Sequence, residues 1–155
     1  MKSGFVSIAI VCASAMITPA LHAQDANVAP AEMPVAQAPK NVSSLIKTDT
    51  QIGNGAEAVY GSNVEVHYTG WIYNPKAADL HGAQFDSSRN GGAPFTFMIG
   101  ARQVIKGWDV GVPGMKVGGK RTLIIPSYMA YSTGGSNGIP PNTHLVFDIE
   151  LLGVK

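Results

Sequence analysis

The chain has 155 residues, 45% hydrophobic and 14% charged, with 11 Lys plus Arg against 10 Asp plus Glu and a formal net charge of +1. That length suits one domain and is short for two. The near balance of charge removes the broad field that draws polyanions, so neither nucleic acid nor an anionic membrane is an expected partner.

The N-terminus reads as a secretory signal. Lys2 supplies a positive start, Phe5 to Ile17 an apolar run, and Pro19-Ala20-Leu21-His22-Ala23 a small-residue cleavage site, which predicts a signal peptide over 1–23 removed before Gln24. The run is shorter than the roughly 20 residues that span a bilayer, so stable membrane insertion is not expected. Cys12 is the sole cysteine and lies in this segment, outside a lipoprotein-type context. The mature chain is thus expected to use neither disulfides nor thiol chemistry. Residues 24–43 are rich in Ala, Pro and Gln, with prolines that block helix and sheet, and predict a flexible tether before one domain over 44–155.

From there the periodicity becomes that of strands. Asn63-Val64-Glu65-Val66-His67-Tyr68-Thr69 alternates with period two and sets Val64, Val66 and Tyr68 on one face. Further strands are predicted over Leu45 to Gln51, Phe95 to Ile99, Lys120 to Ile125 and His144 to Leu152, each bounded by Gly, Pro or Asn. One short helix is predicted from Gln103 to about Val110, with Ile105, Trp108 and Val112 on its buried side. Strands outnumber helices without βαβ alternation, so the class is α+β: a five-stranded antiparallel sheet curled around one helix.

Several apparent motifs fail on chemistry. Gly114 to Arg121 imitates a phosphate-binding loop, but Arg121 stands where a magnesium-binding hydroxyl is needed and a strand, not a helix, follows. His67, His81 and His144 lack metal-site spacing, so no metal or other cofactor is expected. Ser87, His67 and Asp148 include the residue types of a hydrolytic triad, yet no nucleophile elbow surrounds the serine.

The signal that carries function is a set of aromatic residues near strand and loop ends: Tyr68, Phe85, Phe95, Phe97, Trp108, Tyr128, Tyr131 and Phe147. They lie within Val66-His67-Tyr68-Thr69-Gly70, Phe85-Asp86-Ser87-Ser88-Arg89, Pro94-Phe95-Thr96-Phe97, Val104-Ile105-Lys106-Gly107-Trp108-Asp109, Gly138-Ile139-Pro140-Pro141-Asn142 and Leu145-Val146-Phe147-Asp148. In content and order these stretches resemble the FKBP family of macrolide-binding immunophilins, over roughly Leu45 to Val154.

The resemblance implies a peptidyl-prolyl cis/trans isomerase with a shallow apolar pocket between sheet and helix. Trp108 would floor it, with Tyr68, Phe95, Val104, Ile105 and Phe147 as walls. Phe85 and Asp86 would sit at the rim, and Tyr131 and Ile139 on the loop before the last strand. In catalytic terms Tyr68, Asp86, Ile105, Trp108, Tyr131 and Phe147 are the candidates, while Phe85, Phe95, Val104 and Ile139 would bind substrate. The implied partners are proline-containing polypeptides and macrolides of the FK506 and rapamycin type, met by a monomer in the periplasm or the medium.

Two departures from the family pattern stand out. Gly91 replaces an arginine that relatives use to orient Asp86 and Tyr68, and Trp71 to Gly82 is a longer connection, expected as an extended surface loop or bulge. The Gly-rich loop over Ser132 to Asn137 is also slightly short.

Overall fold

Asn63–Tyr73 is the longest strand and organises the rest of the computed structural model, which describes residues 41–155. The predicted signal peptide and most of the predicted tether lie outside the described residues. In chain order the elements are β1 (Ile46–Gln51), β2 (Asn63–Tyr73), β3 (His81–Ser87), β4 (Phe95–Met98), α1 (Lys106–Gly111), β5 (Lys120–Ile125) and β6 (Leu145–Val154). All strand pairings are antiparallel, in the order β1-β5-β6-β2-β3, with β4 also on β2.

One edge of β2 is covered by β6 from Val64 to Ile72. The other is shared: β4 takes Asn63 to Val66, and β3 takes Thr69 to Tyr73. The sheet therefore has the five positions expected from the sequence, but the last is divided between two strands. β3 is the element that the pattern did not disclose. As an edge strand its register on β2 shifts between Gly70 and Trp71 and again between Trp71 and Tyr73, and such irregularities break the period-two alternation that marks a strand. The expected loop over 71–82 shrinks to 74–80, because Trp71 to Tyr73 continue β2. His81 then stacks on Trp71, with ring centroids 3.9 Å apart and planes within 4°.

The inner face of the sheet carries Val64, Val66, Phe97, Leu123, Ile125, Leu145, Phe147, Ile149 and Leu151, packed with Trp108, Val112 and Met115. Burying such side chains contributes roughly 1.5–3 kcal/mol each. The helix lies close on β5 because Gly107 and Gly111 face it. A Cβ at Gly107 would stand 2.5 Å from Ile125, and one at Gly111 2.5 Å from Leu123. The outer face has a smaller cluster of Val42, Tyr73, Ile124 and Val146. Packed chain thus reaches Val42, just before the boundary expected at residue 44.

The helix starts at Lys106, later than the predicted Gln103, and Ile105 before it is extended (ψ 149°). Asp109 is the cause. Its carboxylate accepts the N–H of Gly100 at 2.9 Å and of Arg102 at 3.2 Å, holding that segment in a turn outside the helix. At the other helix end Arg121, 8% exposed, donates to the carbonyls of Gly111 and Pro113 and grips Asp49 through Nε and Nη2 at 2.6 and 3.0 Å. The arginine that spoils the phosphate-loop motif therefore ties β1 and β5 to the end of α1.

Candidate functional site

The divided edge of β2 makes the site. β3 ends opposite Thr69 and β4 begins opposite Val66, so Tyr68 falls in the gap between them. Its backbone would go unpaired there, and two serines supply the partners. Ser88 Oγ accepts from the Tyr68 N–H at 2.9 Å, and Ser87 Oγ donates to the Tyr68 carbonyl at 3.1 Å. The Asp86-Ser87-Ser88 run thus closes the gap while leaving the Tyr68 side chain free to face the helix.

A hollow of about 180 Å³ opens there, lined by Tyr68, Phe85, Asp86, Phe95, Gln103, Val104, Ile105, Trp108, Tyr131 and Phe147. Trp108 is its floor at 4% exposure. Its ring centroid lies 4.9 Å from Tyr68, 5.2 Å from Phe147, 5.5 Å from Phe97 and 6.1 Å from Phe95. The contacts with Tyr68, Phe147 and Phe95 are edge-on, an arrangement the ring quadrupoles favour. Phe85 stands edge-on to Phe147 at 5.5 Å. Gly70 lets these rings close in, since a Cβ there would meet both Phe85 and Phe147 at 2.7 Å.

Polar groups are few. Tyr68 Oη donates to Asp86 Oδ2 at 2.6 Å. Burial pushes the Tyr68 phenol well above its ordinary pKa, and the hydrogen bond and charge of Asp86 add to the rise. Tyr131 is raised too, first by burial and then by Asp86. Both phenols therefore remain protonated donors at neutral pH. Among the described residues, the Tyr131 hydroxyl and the Ile105 N–H have no hydrogen-bond partner. The Ile105 N–H is open because that residue is extended and only its carbonyl enters the helix, accepting from Trp108 N at 2.9 Å. Trp108 Nε1 is buried and likewise unpartnered.

Of the residues singled out in the sequence, Ile139 stands apart. It does not line the hollow; it is 5% exposed and packs in the core. Its backbone pairs both ways with Ser136, which folds the Gly-rich loop back and turns the side chain inward. Gln103 is a lining residue that sequence reasoning missed. Its Oε1 accepts the Met98 N–H at 3.0 Å, pinning the wall to β4, and adjacency to Val104 is the only signal that pointed to it.

Gly91 has open space around it, and among the described residues no cation pairs with Asp86 within 4 Å. The Tyr68–Asp86 bond forms without one. The hydrolase-like set does not converge: His67 Nδ1 meets Ser88 Oγ at 3.0 Å, while Asp148 accepts from Thr122 at 2.6 Å and lies 3.7 Å from His81.

Comparison with known proteins agrees with this fold. Residues 55–152 match the family model described as FKBP-type peptidyl-prolyl cis-trans isomerase. The FK506-binding protein of Neisseria meningitidis serogroup A is 51% identical over 114 residues, covering 73% of this chain and 98% of that protein. Among solved structures, AtFKBP13 is 42% identical with a TM-score of 0.62, over 74% of this chain and 96% of that one. FkpA from Escherichia coli is 39% identical with the same TM-score, over 75% of this chain and 51% of that one.

Proposed function

The chain belongs to the family of FKBP-type peptidyl-prolyl cis-trans isomerases, and from that premise we propose that the hollow above Trp108 is where it turns X-Pro bonds. Rotation of such a bond faces a barrier of about 18–20 kcal/mol because amide resonance must break, while the end states differ by only about 0.5–1 kcal/mol. The isomerase changes rate and leaves the equilibrium alone. In the twisted transition state the carbonyl loses polarisation, so a ring-lined site that excludes water disfavours the planar, more polar ground state relative to it. Each 1.36 kcal/mol removed gives about a tenfold acceleration.

The prolyl ring rests on Trp108, flanked by Tyr68, Phe95, Phe147 and Val104. The Ile105 N–H and the Tyr131 hydroxyl hold the substrate carbonyls and select the twisted conformer. Asp86 accepts a hydrogen bond from the Tyr68 hydroxyl near the rotating carbonyl. No proton is transferred. The observation that carries this reading is the pair of unpartnered donors, Ile105 N–H and Tyr131 hydroxyl, at the walls of one ring-lined hollow.

The test is a protease-coupled assay on short X-Pro peptides, in which the protein at micromolar concentration should raise the rate well above background. No acceleration, with a macrolide of the FK506 or rapamycin type still binding, would leave a binding module and not an isomerase. Such binding is part of the proposal, on the similarity to proteins named for FK506.

The proposed clients are exported chains, met in the periplasm or the medium. The support is the signal-like segment over 1–23. Fractionation of the source cells with N-terminal sequencing of the mature protein tests it: an intact Met1 in the cytoplasm would refute it.

A further inference from the structure

Beside the aromatic hollow lies a second concavity, of about 480 Å³, bounded by Gly100, Arg102, Val104, Lys106 and Asp109. Val104 lines both. A chain seated with its proline over Trp108 passes from one to the other across that single side chain.

The charges here are one-sided. Asp109 is 8% exposed, and its carboxylate is occupied by the backbone N–H groups of Gly100 and Arg102. Arg102 and Lys106 are exposed, and among the described residues neither the Arg102 guanidinium nor the Lys106 ammonium pairs with a carboxylate within 4 Å. Arg102 also sits at φ 57°, a conformation glycine adopts more readily. The turn on Asp109 fixes the residue there, so its guanidinium extends from an anchored backbone.

Two unpaired cations beside an apolar subsite suit an anionic side chain near the bound proline. An extended chain advances about 3.3 Å per residue, so crossing Val104 takes about two residues. We infer that Arg102 and Lys106 select substrates bearing Asp or Glu about two residues from the proline, on the flank that crosses Val104. Asp86, the acid of the hollow itself, attracts no acidic residue, so the preference belongs to one flank. The inference rests on the isomerase reading above.

The experiment uses the full chain and peptides with Ala, Glu or Lys placed one, two or three residues to either side of proline. Glu at two residues on one flank should raise kcat/KM over Ala by roughly three- to tenfold at low salt, mainly through KM, and Lys should lower it. The Debye length falls from about 10 Å at 0.1 M salt to about 3 Å at 1 M, so high salt should erase most of the difference. Arg102→Gln with Lys106→Gln should remove the preference and leave the Ala peptide unchanged.

Equal kcat/KM for all three side chains at every position, or a preference that survives in the double variant, overturns the inference. If no peptide is turned over, the isomerase reading fails separately, and equilibrium binding of the same peptides by fluorescence anisotropy still decides the charge preference. Tighter binding of the Glu peptides that is lost in the double variant supports the selection; equal binding refutes it.

Discussion

Tyr68 Oη and Asp86 Oδ2 meet at 2.6 Å beside the gap that separates β3 from β4, joining the middle of β2 to the end of β3 at the mouth of the hollow. The bond fixes the phenol edge-on to Trp108 and holds the carboxylate by a donor that carries no charge. Tyr68→Phe should lower kcat/KM by about three- to tenfold, consistent with losing one partly exposed hydrogen bond worth about 1 kcal/mol. The peptide assay measures the rate, and urea unfolding should show stability reduced by no more than about 1 kcal/mol.

The absence of an arginine near Asp86 has a direct test. Gly91 has a negative φ, and a Cβ added there would meet no neighbouring atom within 4 Å, so Gly91→Arg should fold without strain. Because the Tyr68–Asp86 bond stands without a cation, the rate should change by less than about twofold. A gain of tenfold, about 1.4 kcal/mol, would show that the site needs the charge after all.

Trp108→Leu should keep the fold and abolish much of the activity. The indole touches four rings, so its loss should cost about 1–3 kcal/mol of stability in cavity and contact terms. The peptide rate should fall by about tenfold or more. Tyr131→Phe, at 36% exposure, should leave stability unchanged and weaken turnover or macrolide affinity. Wild-type values in both variants would remove the hollow from the reaction.

Stability should depend on pH at both extremes. Hydrogen bonds from Arg121 lower the Asp49 pKa below its ordinary 3.8; desolvation opposes them, and the charges of Arg121 and Lys47 assist. The unfolded chain therefore takes up this proton first, and the contribution is lost as pH falls below about 4 and through the folded value. Tyr68 and Tyr131 behave in the opposite sense. Their raised values make the unfolded chain release protons first, so their contribution is full below about pH 10 and declines above it. Urea titrations across pH should show the acid loss reduced in Asp49→Asn and the alkaline loss reduced in Tyr68→Phe.

Arg121→Met should be the most damaging of these changes to the fold. It strands the carbonyls of Gly111 and Pro113 and frees β1 from the helix end, costing about 2–4 kcal/mol. The surviving folded fraction should turn over peptides at the normal rate, as Arg121 does not line the hollow.

What the sequence disclosed and what it hid divide along physical lines. Val64, Val66 and Tyr68 were legible because one face of β2 packs on the core and the alternation holds along it. β3 was not, since an edge strand with two register shifts carries no regular period. The helix was found from Trp108 and Val112, yet its start was misplaced because Asp109 acts through its side chain on residues well before it, a contact no helical period encodes. Gly107 and Gly111 carried no apolar signal at all, although their missing side chains set the depth at which Trp108 lies. Ile139 followed from a motif alone, and the Ser136 bridge that buries it is a local backbone event.

Because β3 and β4 share one rail of β2, the chain between them returns to Tyr68; beyond Ser88, which holds the Tyr68 N–H, and Arg89, which pairs with Glu150, the stretch over residues 90–94 belongs to neither wall. Its length and composition are thus free to drift while both jaws keep their bite. A designer seeking new clients for this scaffold would graft there first, exchanging the hinge cover and leaving the vice beneath it untouched.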